Sequence, residues 1–275
     1  MQNFYEQYLK LAKEITEGLS DDAELFKKEY LKQRLKDNKV YKFISLDGDE
    51  KDIKAKLDTF KQSKVWFSNY AYLNDKSECD VLYDAQCISQ ATGLNKKYIS
   101  MVMDTVMQTL DILSLTYEYQ EYMWKTYASN GNGICIEYDV INYKDMFPVA
   151  YIDKLGIDYN KMVINAIKYG KVKELSIIPW VIKNPYNVTS DLDSTMEKEV
   201  RVLYSPFDED ELNDGRVYPT VKDDLGYKGI AVPCEKVGLK ISKVVIGDKC
   251  DNHIVQAFTG HINKERIEYL ISEKE

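Results

Sequence analysis

"EYQEYMWKTYASNGNGICIEYD", residues 118–139, reads as three pieces in a row. Trp124 and Tyr127 stand three apart, so on a helix they share a face and pack it onto a neighbouring layer. Asn130 or Gly131 ends that helix, Gly131 and Gly133 permit a tight turn, and Ile134 to Tyr138 runs on as a strand. A helix folded back on a strand within 22 residues sets the expectation for the whole chain, which is helices laid on a sheet.

Working outward, further strands are expected at Val40–Ile44, Val65–Ser68, Phe147–Tyr151, Lys198–Tyr204, Ile230–Pro233 and Ile241–Ile246. Helical spacing covers Asp52–Gln62, with Ile53, Leu57 and Phe60 on one face. Two helices are expected between Ser77 and Leu115, one with a stripe of Met103, Met107 and Leu110 that reads as core packing. Asp158–Val172, Glu174–Lys183 (interrupted near Pro179), Asp251–Phe258 and Lys264–Ser272 complete the helices. Residues 69–75 and the acidic stretch 208–214 read as polar loops. No regular β-α-β repeat appears, so the fold class is α+β. Residues 1–38 form a helical extension, with Phe4, Tyr8, Leu11 and Ile15 in one helix and the pairs Phe26/Tyr30 and Leu31/Leu35 in the next. That extension either packs on the core domain, residues 39–275, or binds a partner protein.

Composition narrows the function classes. At 275 residues, 44% hydrophobic and 30% charged, with no Pro/Gly/Ser-rich linker, the chain suits one soluble core. A net charge of −8 argues against nonspecific nucleic-acid binding, which needs a basic face, while 37 Lys and Arg leave room for a local basic cleft. The five cysteines are odd in number and lack a C-x-x-C pair. No secretory segment or bilayer-length apolar run is present. Free thiols in a reducing cytoplasm, with no membrane contact, are therefore expected. The 22 tyrosines, against 8 phenylalanines, mostly reflect a bias that also favours Lys, Asn and Ile.

Several chemistries lack their motifs. There is no Walker loop, no dinucleotide fingerprint, no H-E-x-x-H and no nucleophile elbow, and the histidines are only His253 and His261. Any catalysis must then rest on carboxylates and aromatics. The strongest candidate is Met196-Glu197-Lys198-Glu199-Val200-Arg201. On a strand, Glu197, Glu199 and Arg201 share one face. The plainer reading of that face is a solvated charge ladder. Tyr41-Lys42 offers a point charge for phosphate, and Trp66-Phe67-Ser68 offers an aromatic surface with a polar end for a flat ring. For both, ordinary strand packing is the plainer reading. Glu137 either faces a cleft opposite Arg201 or belongs to a wholly structural motif.

The blocks "VYKFISL", "VWFSNYAYLND", "MWKTYASNGNGICIEYD" and "TMEKEVRVLY" resemble, in that order, the bacterial family known as domain of unknown function 2971. The resemblance spans about residues 39–250. It departs at Asn74-Asp75-Lys76-Ser77-Glu78, where that family often has N-D-P-[FY]-E. The order of blocks is also similar to that of ADP-ribosyltransferases. This implies a mixed, mostly antiparallel sheet and NAD as a substrate. In that mapping Tyr41 and Lys42 hold the cofactor's phosphates or ribose, and Trp66, Phe67 and Ser68 shape the nicotinamide pocket. Glu199 binds the nicotinamide ribose beside Arg201, and Glu197 serves the acceptor. The implied role is a toxin or anti-phage effector that modifies RNA, DNA or protein. A non-catalytic sensor acting through residues 1–38, and a metal-dependent nuclease using Asp75, Glu78, Glu197 and Glu199, are the competing expectations.

Overall fold

The strands predicted around the quoted turn assemble into one mixed sheet, and its pairing explains where a cavity opens. The computed structural model describes residues 4–5, 7, 21–69, 72–73, 82–108, 111–151, 158–169, 181–183, 185, 193–204, 228–251, 253 and 267–269. Its helices are α1 (Asp21–Arg34), α2 (Glu50–Lys61), α3 (Ala85–Thr92), α4 (Lys96–Gln108), α5 (Glu121–Tyr127) and α6 (Tyr159–Tyr169). The strands are β1 (Lys39–Ser45), β2 (Lys64–Asn69), β3 (Asp111–Thr116), β4 (Gly133–Val140), β5 (Met146–Pro148), β6 (Ala150–Tyr151), β7 (Ile182–Lys183), β8 (Glu199–Tyr204), β9 (Gly229–Pro233), β10 (Leu239–Ile246) and β11 (Ile267–Tyr269). The main path runs β11-β10-β4-β1-β3-β2-β9, with β8 on β3 and β5 on β8, while β6 and β7 form a separate parallel pair. Every pairing in the main sheet is antiparallel except β10 with β11.

The central strand is the first departure from expectation. Residues up to Leu115 continue the helical stripe in the sequence, yet α4 stops at Gln108 and 111–116 crosses the middle of the sheet. All but Ser114 in that strand are buried. A short run buried on both faces has no alternation, so periodicity alone cannot tell it from a helix. The second departure is Ile267–Tyr269, which pairs in parallel with Val244–Ile246 instead of lying in a helix. Ile182–Lys183 likewise pairs with Ala150–Tyr151 as strand. The expected first helix beyond Gln7, the side chain of Met107, Leu110, the acidic loop 208–214 and most of 251–258 lie outside the described residues.

β3 holds its neighbours unevenly. β8 pairs with all six of its residues, so β1 and β2 share the other edge. Among the described residues β1 meets it only at Tyr41↔Thr116, and β2 only at Ser68↔Ile112 and Asn69↔Asp111. Between those contacts the sheet is split. Each backbone group in such a gap needs another partner, and the Ser114 carbonyl accepts from Lys42 Nζ at 2.9 Å.

The core fills one face of this sheet with Val40, Leu115, Ile136, Val202, Val244 and their neighbours, closed by Leu57 and Phe60 of α2. Leu31 and Leu35 of the N-terminal segment enter the same core, and Lys27 donates to the Lys144 carbonyl while lying 3.9 Å from the Phe147 ring centre. The described part of the extension is thus packed on the body. On the other face Trp124 of α5 meets Phe43 edge-on at 5.2 Å, with Met123, Ala128, Cys135 and Val245 around them. Cys87, Cys135, Cys234 and Cys250 are free thiols. No helix among the described residues is long and apolar enough to cross a membrane.

The quoted turn is close-packed. A Cβ on Gly133 would stand 2.5 Å from the Ile44 carbonyl oxygen and 2.9 Å from Ala128, both backbone-anchored. Gly133→Ala is therefore expected to cost about 2–3 kcal/mol, at the high end for a one-carbon change. A urea midpoint equal to wild type would refute that packing.

Candidate functional site

Along β2 the pleat sends Lys64, Trp66 and Ser68 one way and Val65 and Phe67 the other. The split between β1 and β3 opens beside the first set as a cleft of about 680 Å³, within the range of small-molecule sites. Tyr41, Lys42, Trp66, Ser68, Glu197, Glu199 and Arg201 all line it. Tyr41 and Lys42 point to opposite faces of β1, and both reach the cleft because it enters the sheet through the gap. Phe67 does not join them. Its side chain is fully buried in the core, 5.3 Å from the Tyr204 ring, so the expected pocket role for Phe67 is corrected by strand alternation.

The acidic cluster also differs from expectation in its backbone. Glu197 ends a 3-10 turn, Ser194–Glu197, capped by Asp193 accepting from Thr195 N at 2.9 Å. Lys198 then takes left-handed values, φ 49° and ψ 47°, before β8 begins at Glu199. Glu197 and Glu199 therefore converge through a turn, without sharing a pleat face. Nor is the cluster a solvated ladder, since Glu197, Glu199 and Arg201 are all buried. The reading of E-x-E-x-R as a surface charge ladder is thereby overturned.

Burial of that many charges is tolerable only with partners, and each has them. Arg201 Nε donates to Glu199 Oε1 at 2.7 Å and a terminal nitrogen to Oε2 at 3.2 Å. Lys183 Nζ lies 2.7 Å from Glu197 Oε2 and 3.6 Å from Glu199 Oε2. Tyr127 OH donates to Glu197 Oε1 at 2.7 Å, and Tyr151 OH accepts from Glu199 N at 2.9 Å. Gln120, at the start of α5, donates to the Met196 carbonyl and ties the quoted segment to this turn. Two of these groups were not expected in the site. Lys183 sits in a two-residue strand whose sequence carries no signal, and Tyr127 was read only as a packing residue.

The two carboxylates titrate apart. Burial works to raise the Glu199 carboxyl, but the Arg201 guanidinium and Lys183 ammonium overcome it and hold it down at about 2. Glu197 moves the other way, raised by burial and by the charge of Glu199 against the pull of Lys183 and Tyr127. Tyr127 is pushed up by burial and by Glu197, so it keeps its proton and donates. Carboxylates driven apart in this way divide into a fixed anion and a proton carrier.

The pH dependence of folding follows in sign. A depressed carboxyl stabilises the fold fully above its ordinary value of 4.5, and that contribution is lost as pH falls through about 2. A raised carboxyl does the reverse, stabilising below 4.5 and losing that contribution as pH rises through its folded value. Glu197→Gln is expected to remove the second limb and leave the first. Urea unfolding from pH 2 to 8 checks this, and an acid limb that vanishes with Glu197 would reverse the assignment.

Other expected features fall elsewhere. Glu137 is not in the cleft lining. It bonds Lys39 Nζ at 2.6 Å and Ser242 Oγ at 2.8 Å, so the placement opposite Arg201 is corrected. Burial pushes the Lys42 ammonium below its ordinary value, and Glu199 only partly restores it. His253 is exposed, whereas Asp75, Glu78 and His261 lie outside the described residues. Among the described residues, no group of three or more His, Cys, Asp or Glu is placed to hold a metal ion. Among the described residues the charged lining comprises Lys42, Lys56, Lys64, Lys183, Lys228 and Arg201 against Asp52, Glu197 and Glu199, so this described lining is cationic in a chain of net charge −8. Comparison with protein-family models, with curated proteins and with solved structures finds no match to this chain.

Proposed function

We propose that the protein is an NAD-consuming ADP-ribosyltransferase in which the split sheet holds the dinucleotide and Glu199 carries the chemistry. The observation that supports this most directly is a buried, ionised Glu199, held by Arg201 and Lys183, on the wall of a cationic cleft that also presents Trp66 and Ser68. Cleavage of the nicotinamide–ribose bond sends its electron pair to the departing ring and leaves positive charge on the sugar. An anion already fixed in orientation stabilises that charge without reorganising, and this is the most effective form of electrostatic catalysis. Glu197, with its raised affinity for a proton and its tie to Tyr127, takes the proton from the acceptor that captures the sugar. The block order that resembles ADP-ribosyltransferases supports the same reading, as does the antiparallel sheet.

The test is nicotinamide release from NAD by the purified chain, alone and with total RNA, DNA or cell protein. Release is expected, and the additive that raises it names the acceptor class. No release under any of these conditions, from folded protein, would overturn the proposal.

A further inference from the structure

The cations of the cleft do not have equal standing. Lys183 and Arg201 are committed to the carboxylates. Lys42 donates to the Ser114 carbonyl in the gap of the sheet, and Lys56 donates to the Ser45 carbonyl at 2.7 Å. Lys42 therefore stands in for a missing sheet hydrogen bond, and using it on a phosphate would break that bond. Two lining cations are left, Lys64 and Lys228, and neither makes a side-chain hydrogen bond or ion pair among the described residues.

These two flank one aromatic surface. Lys64 is two residues before Trp66 on the same pleat face, about 7 Å along the strand. Lys228 directly precedes Gly229, which pairs with Ser68 at the other end of that face. Trp66 is 45% exposed although it lines the cleft. Its place depends on a residue without a side chain, because a Cβ on Gly229 would come within 3.0 Å of Trp66 Cε2 and 2.0 Å of the Phe67 carbonyl oxygen. An exposed indole held against a glycine and bracketed by two uncommitted ammonium groups suits a flat heterocycle joined to phosphate.

We propose that Lys64 and Lys228 form the phosphate-binding rim of the cleft, with the ligand's ring on Trp66, and that Lys42 is a structural lysine. This rests on reading the cleft as a nucleotide site and deepens it by assigning the phosphate charges to residues outside the E-x-E strand. Binding of ADP-ribose is the probe, followed by calorimetry and tryptophan fluorescence on the full chain. Wild type is expected to bind with quenching that Trp66→Phe removes. Lys64→Met/Lys228→Met is expected to weaken binding roughly tenfold and flatten its salt dependence. Equal affinity in the double variant, or no binding to folded wild type, would overturn the assignment. Nicotinamide release separates this from the catalytic reading. Turnover with KM unchanged in the double variant sinks the rim alone. Lysine-dependent ADP-ribose binding without turnover supports the rim while the transferase reading fails.

Discussion

Glu199→Gln is expected to lower nicotinamide release from NAD by about 10²–10³-fold, the scale for losing one preorganised electrostatic contact to a transition state. Glutamine keeps the shape and one acceptor oxygen but removes the charge. Because Glu199 lies on β8 with its backbone nitrogen bonded to Tyr151 and its register fixed against Thr116, the substituted side chain stays at the same point of the cleft wall. The loss should fall on kcat rather than KM, since the carboxylate acts on charge that develops only as the glycosidic bond breaks. Arg201 and Lys183 remain as cations beside the site, and their field then opposes the developing charge. A folded Glu199→Gln protein with wild-type turnover would remove Glu199 from the chemistry, and with it the basis of the proposed function. Tyr127→Phe separates the roles further. It leaves Glu199 untouched, so its effect should appear in the pH profile through Glu197.

Arg201→Met carries the largest expected stability effect, a loss of about 3–5 kcal/mol, as for breaking a buried pair by removing one partner. Arg201 is 1% exposed and holds Glu199, two residues before it on β8, with two hydrogen bonds. Methionine restores much of the volume but removes the guanidinium, leaving Glu199 with a hydrogen bond to the Ser114 side chain and with the Lys183 ammonium, 3.6 Å away and shared with Glu197. Part of the loss should return in Arg201→Met/Glu199→Gln, because the uncompensated charge is then gone. Denaturant midpoints of the wild type, both single variants and the double variant give the coupling. Purely additive losses would mean that the guanidinium acts only by packing, and the preorganisation of Glu199 would need another source.

How much of this was legible beforehand depends on the strand. β2 showed its two faces through alternation, so Lys64, Trp66 and Ser68 are placed by pattern, and the same alternation withdraws Phe67 into the core. β8 was recognisable as a strand, but its burial was not, because charges on a pleat look the same whether they face water or each other. β3 was read as helix since both its faces are buried. Its loss from the reading hid Ser114, whose carbonyl accepts from Lys42. Lys183 had no signal, since two residues carry no period and its partner strand lies more than 30 positions away.

The sequence by itself determined the α+β class, the strand–helix order around the Gly131–Gly133 turn, the absence of the common phosphate-loop and zinc motifs, and a shortlist of charged and aromatic residues. These are local properties, set by periodicity, capping and turn chemistry within a dozen residues. Only the tertiary structure decided that β1 and β2 would share one edge of β3 and leave a gap, and that Lys183 and Tyr127 would meet Glu197 across separations of 14 and 70 positions. Those outcomes depend on strand pairing and on the need to neutralise buried charge, both of which involve partners that sequence distance does not encode.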